Sequence, residues 1–338
     1  MTKNGLILSL VCAAFFFGIK SASSQNLTNE KQNTILKQPP YLKVGDTVAI
    51  VAPSGILKNR TGEVEQAQAL LKSWGLHAVV GYNVFNKADH FAGTDDERCE
   101  DLQNALDNPK IRAIWCARGG YGTVRVLDKL DFSTFNKNPK WVIGYSDITA
   151  LHNHIHNEGV ESLHAIMCVS LPKDESEIEA SISTFKNTLF GKPLSYTLKG
   201  SSYNKTGTAT GQLVGGNLNM LHTMLGSSSS IDVSGKILFI EEIGEYKYHI
   251  DRMLQSLKRA GYFDNCNGVI VGGMSKMRTN TTLWGTSVEQ LILDALSDYD
   301  FPIAFNMPAG HEPDNRALIL GRTIKLSVNK RESTAIFR

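Results

Sequence analysis

The sequence predicts an α/β protein, with a parallel-sheet α/β sandwich as its N-terminal domain and a second, smaller domain of mixed α+β character. Three observations predict it. Four short apolar runs, 47–52, 77–80, 113–117 and 141–144, alternate with segments of helical period, the rhythm of strands laid parallel with helices on both faces. Residue types capable of chemistry stand directly after such runs, where open parallel sheets bind ligands. Beyond about His164 the rhythm ends, and the runs 318–321 and 323–328 alternate like antiparallel strand.

The elements follow in order. Lys3 and the apolar stretch 5–19, with Phe15-Phe16-Phe17, lead into the small residues Ser21-Ala22-Ser23-Ser24. This is the layout of a signal peptide over 1–24, and it implies export to the periplasm. The run is shorter than the ~20 residues a membrane span needs, so no stable membrane insertion is expected. Cys12 lies inside the run, which argues against a lipid-anchored cysteine. Residues 25–40 are polar and read as a flexible arm. The N-terminal domain is placed at 41–172. In it, 47–52 reads as a buried strand stopped by Pro53-Ser54-Gly55, and 63–74 as a helix with Gly75 as C-cap. Next come a strand at 77–80, a helix at 95–106 and a strand at 113–117. A helix at 123–130, a strand at 141–144 and a helix at 148–156 follow. Residues 173–205 show no strong period and read as a connection. The C-terminal domain, 206–338, offers strands at 207–213, 236–241 and 268–272 and helices at 250–260 and 287–296.

Of the 338 residues, 42% are hydrophobic and 20% charged, which fits a globular chain. A formal charge of +2, with the two signs interspersed, excludes a nucleic-acid-binding surface as the chain's business. Cys99, Cys116, Cys168 and Cys266 form no CxxC pair, so zinc is not suggested. An even count permits disulfides in an exported protein, although a chain this long can stabilise itself by core burial alone.

Ser146 stands on a tight strand-to-helix turn in Gly144-Tyr145-Ser146-Asp147. Such a turn projects a hydroxyl outward, aims the next N–H at the same space, and places both at a helix N-terminus. The competing reading is a helix cap by Ser146 or Asp147. In G-x-S-x-G terms the pattern is incomplete, because Ile148 replaces the last glycine. Arg118-Gly119-Gly120-Tyr121-Gly122 follows another strand, and its N–H groups could form half of an oxyanion hole, or simply a tight or phosphate-binding turn. Glu241 and Glu242 end a strand, where a carboxylate can orient a histidine or form a solvated acidic turn. His311 lies in a loop that suits either a functional or a structural histidine. His152 and His156 share a helix face, with His154 elsewhere, but no HExxH pattern supplies a third metal ligand.

Together these segments resemble the L,D-carboxypeptidase family of serine peptidases, from about Leu42 to Leu326. The resemblance rests on 45–55 (Gly-Asp-Thr-Val-Ala-Ile-Val-Ala-Pro-Ser-Gly), Phe91-Ala92-Gly93-Thr94-Asp95-Asp96-Glu97-Arg98 and Arg118-Gly119-Gly120-Tyr121-Gly122. It continues through 143–152, Gly215-Gly216-Asn217-Leu218, 239–245, Asp251-Arg252-Met253-Leu254 and Gly310-His311. It implies that Ser146 is the nucleophile, Glu241 the orienting carboxylate and His311 the base. Backbone N–H groups of Asp147 and of the Gly119-Gly120 turn would hold the oxyanion, and Arg118 would meet a free carboxylate. No metal or organic cofactor is implied. The expected substrate is a peptidoglycan tetrapeptide losing D-alanine, and the expected assembly a homodimer. The rival readings are hydrolysis of a peptidyl-nucleotide antibiotic by an immunity protein and a non-catalytic muropeptide-binding protein. Two segments depart from the family pattern: His164-Ala165-Ile166-Met167, where His-Gly-Pro is frequent, and Phe305-Asn306-Met307-Pro308, where a glycine is common.

Overall fold

The structure, a computed structural model, describes residues 35–338. The expected signal peptide and the arm as far as residue 34 lie outside the described residues. Along the chain come β1 (Thr47–Val51), α1 (Thr61–Ser73), β2 (His77–Val80), α2 (Asp95–Asp107), β3 (Ile111–Cys116), α3 (Ser133–Lys137), β4 (Trp141–Gly144), α4 (Thr149–Asn157) and β5 (Ser162–His164). They are followed by α5 (Glu179–Leu189), β6 (Ser195–Lys199), β7 (Gly207–Asn217), α6 (Leu218–Thr223), β8 (Ile237–Ile243), α7 (Lys247–Arg259) and β9 (Gly268–Ser275). The chain ends with α8 (Val288–Ala295), β10 (Ile303–Ala304), β11 (Leu318–Leu320), β12 (Thr323–Val328) and β13 (Glu332–Phe337).

Two sheets result. The first runs β11-β5-β4-β3-β1-β2, parallel from β5 to β2. Its last strand, β11, comes from the far end of the chain and pairs antiparallel with β5, Leu318 opposite His164. The second sheet runs β10-β9-β8-β7-β12-β13-β6 and is mixed. Within it β7 changes partners along its length: Gly207–Gln212 face β12 antiparallel, and Leu213–Asn217 face β8 in parallel. The fold is therefore the expected α/β class with parallel strands in both sheets.

The inner strands β1, β3 and β4 are mainly apolar because both faces are covered. Val48 and Ile50 enter one core, Ala49 and Val51 another, and the same alternation holds for β3 and β4. At the edge, β2 leaves Val79 45% exposed, as expected where one flank has no partner. The described part of the expected arm is held at Lys37, whose backbone bonds Gly159 and Glu161. All four described cysteines are free thiols. Among the described residues no helix is long and apolar enough to cross a membrane.

Two local expectations are corrected. Residues 123–130 form two consecutive 3-10 turns, Thr123–Arg125 and Leu127–Lys129, instead of a helix. The stretch read as a plain connection holds α5, which buries Phe185 and Leu189 one turn apart, and the edge strand β6, which buries Tyr196 and Leu198 in alternation.

Candidate active site

The parallel strands of both sheets bring their carboxyl ends to one cleft. From the first sheet, β4 ends at Gly144, and Ser146 follows with φ +65°, a left-handed conformation that non-glycine residues rarely adopt. A 3-10 turn, Ser146–Ile148, then leads into α4. Gly119 backs directly onto this turn: a Cβ there would stand 3.0 Å from Ser146 Cβ and 3.2 Å from Oγ.

The second sheet supplies the partners. Glu241 is fully buried near the end of β8, opposite Asn217 of β7. The loop after β10 continues alongside β9, with Met307 and Gly273 bonded to Val271 and Ala309, and this delivers His311 over Glu241. Gly310 has φ +114°, and a Cβ there would strike the Glu241 side chain at 2.8 Å. Only glycine lets the loop pass this close. His311 Nδ1 then lies 2.7 Å from Glu241 Oε2, and Nε2 lies 3.0 Å from Ser146 Oγ. Because the carboxylate can only accept, Nδ1 carries the proton and Nε2 is left to accept from the serine. Burial disfavours the imidazolium, but the hydrogen bond and charge of Glu241, with help from Glu242, outweigh it and raise the His311 pKa above its ordinary value. Tyr145 packs edge-on to His311 at 4.9 Å, with His164 behind it at 5.7 Å. The departing segment 164–167 thus forms part of the wall behind the histidine.

Beside Ser146 lies a cavity of about 310 Å³. Gly120, Asp147, Asn217 and Asn219 line it, and Glu242 and Glu245 give it acidic walls. Among the described residues no lysine or arginine lines it. Glu242 lines this cavity, while Glu241 meets His311. Consecutive residues on a strand point to opposite sides, and of the two glutamates only Glu242 lines the cavity; the extra residue of the β8–β9 irregularity sits in β9, between Val271 and Met274. Glu242 Oε1 accepts from Asn217 Nδ2 at 2.9 Å and Ile243 N at 2.8 Å, and Oε2 accepts from Asn219 N at 2.8 Å. Burial, together with the neighbouring Glu241 charge, raises its pKa to about 7 against the pull of those bonds.

The remaining candidates are placed as follows. The Asp147 side chain does not cap a helix. Its Oδ2 accepts from Ser54 Oγ at 2.7 Å and from Thr123 N at 2.8 Å. Arg118 is outside the cavity lining; one arm donates to the Ile56 carbonyl, and Nε lies against Gly55 and Gly120. His152 spends both ring nitrogens, on Ser162 Oγ and the Gly144 carbonyl, each at 2.9 Å, and so braces the strand behind Ser146. His154 bonds Ser229. Among the described residues no group of three metal-capable side chains occurs. Sequence reasoning gave no role to Asn217, Asn219 or Arg98. Their only signal was membership of quoted motifs, and Asn219 lacked even that.

A serine, a histidine and a buried carboxylate in one hydrogen-bonded line, at the strand ends of an α/β fold, define a hydrolase-type site. Comparison with known proteins narrows the class. The LD-carboxypeptidase N-terminal domain matches residues 48–165, and the LD-carboxypeptidase C-terminal domain matches 210–326. The probable murein peptide carboxypeptidase of Bacillus subtilis (strain 168) is 33% identical over 302 residues, covering 88% of this chain and 93% of that protein. The crystal structure of muramoyltetrapeptide carboxypeptidase from Oxalobacter formigenes superposes with a TM-score of 0.77 at 28% identity, covering 86% of this chain and 98% of that one. The microcin C7 self immunity protein MccF, in complex with aspartyl sulfamoyl adenosine, shares the fold at a TM-score of 0.77 and 22% identity, over 90% and 99% of the two chains. The chain belongs to the LD-carboxypeptidase family.

Proposed function

We propose that this protein is a serine-type L,D-carboxypeptidase that releases the terminal D-alanine from peptidoglycan tetrapeptides. The observation that carries the reading is the chain Ser146 Oγ–His311 Nε2–Glu241 at 3.0 and 2.7 Å. His311 takes the serine proton through Nε2 as Oγ attacks the carbonyl before D-alanine. Glu241 holds the ring in the tautomer that leaves Nε2 free, and stabilises the imidazolium that forms. His311 then protonates the leaving amine, and water resolves the acyl-enzyme by the same route in reverse.

The developing oxyanion is assigned to the N–H groups of Asp147 and of the Gly119-Gly120 turn. The Gly119 carbonyl accepts from Gly55 N at 3.0 Å. In a planar trans peptide the Gly120 N–H points the opposite way, and Gly120 lines the cavity that holds Ser146. Arg118, beside that turn but outside the cavity lining, is assigned to the free carboxylate of the substrate through the arm that Ile56 does not hold.

The cavity walls favour this reading over an immunity hydrolase. Glu242 and Glu245 suit the side-chain ammonium of a diamino acid and oppose the anionic side chain of an aspartyl group. The proposal includes export under the direction of residues 1–24, to the periplasm, and assembly as a homodimer; cell fractionation and sedimentation test these. The activity is tested by incubating the purified protein with a tetrapeptide ending in L-lysyl- or meso-diaminopimelyl-D-alanine, and separately with aspartyl sulfamoyl adenosine. Multiple-turnover D-alanine release with the nucleotide left intact supports the reading. Cleavage of the nucleotide alone moves it to the immunity class, and binding of the tetrapeptide without turnover makes the protein a receptor.

A further inference from the structure

Two buried charged side chains hold the turn that faces the nucleophile, and they do so at adjacent positions. Arg98 on α2 is 1% exposed. Its Nη1 donates to the carbonyl of Pro53 and, at 2.9 Å, to that of Gly122. One residue further along each segment, Asp147 accepts from Ser54 Oγ and from Thr123 N. Ser54 Oγ and Thr123 Oγ1 close the set at 2.6 Å. The segment after β1 and the segment after β3 are thus tied together twice, once through an arginine and once through the residue that follows Ser146.

Next to these ties lies the peptide that the proposed mechanism needs. Gly55 N–H, in the first segment, fixes the Gly119 carbonyl in the second, and with it the direction of the Gly120 N–H. Arg98 is itself aimed by its surroundings. The capping box of Thr94 and Glu97 fixes the start of α2, with bonds of 3.2 and 2.7 Å. Asp95 binds Nη2, and the Phe91 ring lies 4.8 Å from the guanidinium carbon. Lysine cannot replace this: a single ammonium cannot span two carbonyls and a carboxylate in one plane.

We infer that Arg98 and Asp147 are positioning residues that clamp the 53–55 and 118–123 segments and so set the Gly120 N–H against the oxyanion formed at Ser146. The inference rests on the reading that Ser146 is the nucleophile. An oxyanion donor that is displaced stops stabilising the transition state while ground-state binding survives.

The test compares Arg98→Lys, Arg98→Gln, Asp147→Ala and, as a control, Arg125→Gln. Arg125 also binds Asp95 but touches neither carbonyl, and its side chain is 46% exposed. For each purified variant, thermal melting, kcat and KM for D-alanine release, the pH profile, and the rate of Ser146 labelling by a fluorophosphonate are measured. The clamp predicts that Arg98→Lys and Asp147→Ala lose about 10²–10³-fold in kcat and slow in labelling, as for a lost oxyanion donor. Their KM should stay within about threefold of wild type and the pH inflection should not move. Arg125→Gln should retain kcat. If Arg98→Gln fails to fold, the lysine and Asp147→Ala variants carry the test. Folded Arg98→Lys and Asp147→Ala proteins with wild-type kcat and labelling overturn the clamp, as does a rise in KM with kcat unchanged. If Ser146→Ala itself remains active, it is the nucleophile reading that fails.

Discussion

Ser146 and His311 reach the same cleft on backbones of opposite kinds. Ser146 stands on a left-handed turn locked between strand and helix, with Gly119 pressed against it and the Asp147 carboxylate anchored to two other segments. His311 hangs on a loop, and its surroundings act on its charge: a buried carboxylate at 2.7 Å raises its pKa despite burial. The first region fixes where atoms are, and the second fixes which proton is where. Changes on the serine side should therefore lower rates evenly at every pH, whereas changes on the histidine side should also move the pH profile.

The largest effect expected is that of Ser146→Ala, a loss of about 10⁴-fold or more in kcat with the fold intact. A smaller residual loss, with the pH profile displaced, would break the division between the two regions. Next in size is Glu241→Gln, slowed by about 10³–10⁴-fold. The wild-type profile should rise with pH through the raised His311 pKa, since the base acts only when neutral. With Glu241 neutralised, burial is opposed only by the smaller effect of Glu242 and the inflection should move to lower pH; a profile that stays in place would remove Glu241 from the role of charge partner.

Glu242→Gln should act on binding more than on rate. Its carboxyl titrates near 7, so KM for a lysine-containing tetrapeptide should fall as pH rises and Glu242 ionises. The glutamine variant should lose this dependence while keeping kcat within about tenfold. If this variant is instead the inactive one, with Glu241→Gln active, the two carboxylates have exchanged roles. Smallest of all is the response to chelation: dialysis against EDTA should leave activity unchanged, because both nitrogens of His152 are already bonded. Loss of activity with restoration by zinc would reopen the histidine cluster.

The two regions also differed in how far the sequence revealed them. β1, β3 and β4 are buried on both faces, so their runs are continuous and β-branched, and the helices between them repeat at 3.6. Strands such as β5 and β10, three and two residues long, carry no period at all. β6 does alternate, but as an edge strand it is half polar and passed for a connection. At the site, Ser146 and Glu241 were legible as candidates at strand ends and His311 as one in a loop, and the family resemblance implied their roles. Nothing local announced the left-handed backbone at Ser146 or the placing of Glu242 against Asn217 and Asn219, since both rest on packing between segments apart in sequence. Arg98 was hidden for the same reason: its partners, Pro53 and Gly122, lie 45 and 24 residues away.

The account stands most directly on a covalent intermediate at Ser146. The purified protein is mixed with the tetrapeptide, quenched in acid during turnover, and its intact and proteolytic masses are read. The account predicts an adduct equal to the acyl part of the substrate, confined to the fragment containing Ser146, absent from Ser146→Ala and accumulating alongside D-alanine release. Steady D-alanine release with no adduct on that fragment, undiminished in Ser146→Ala, would contradict it.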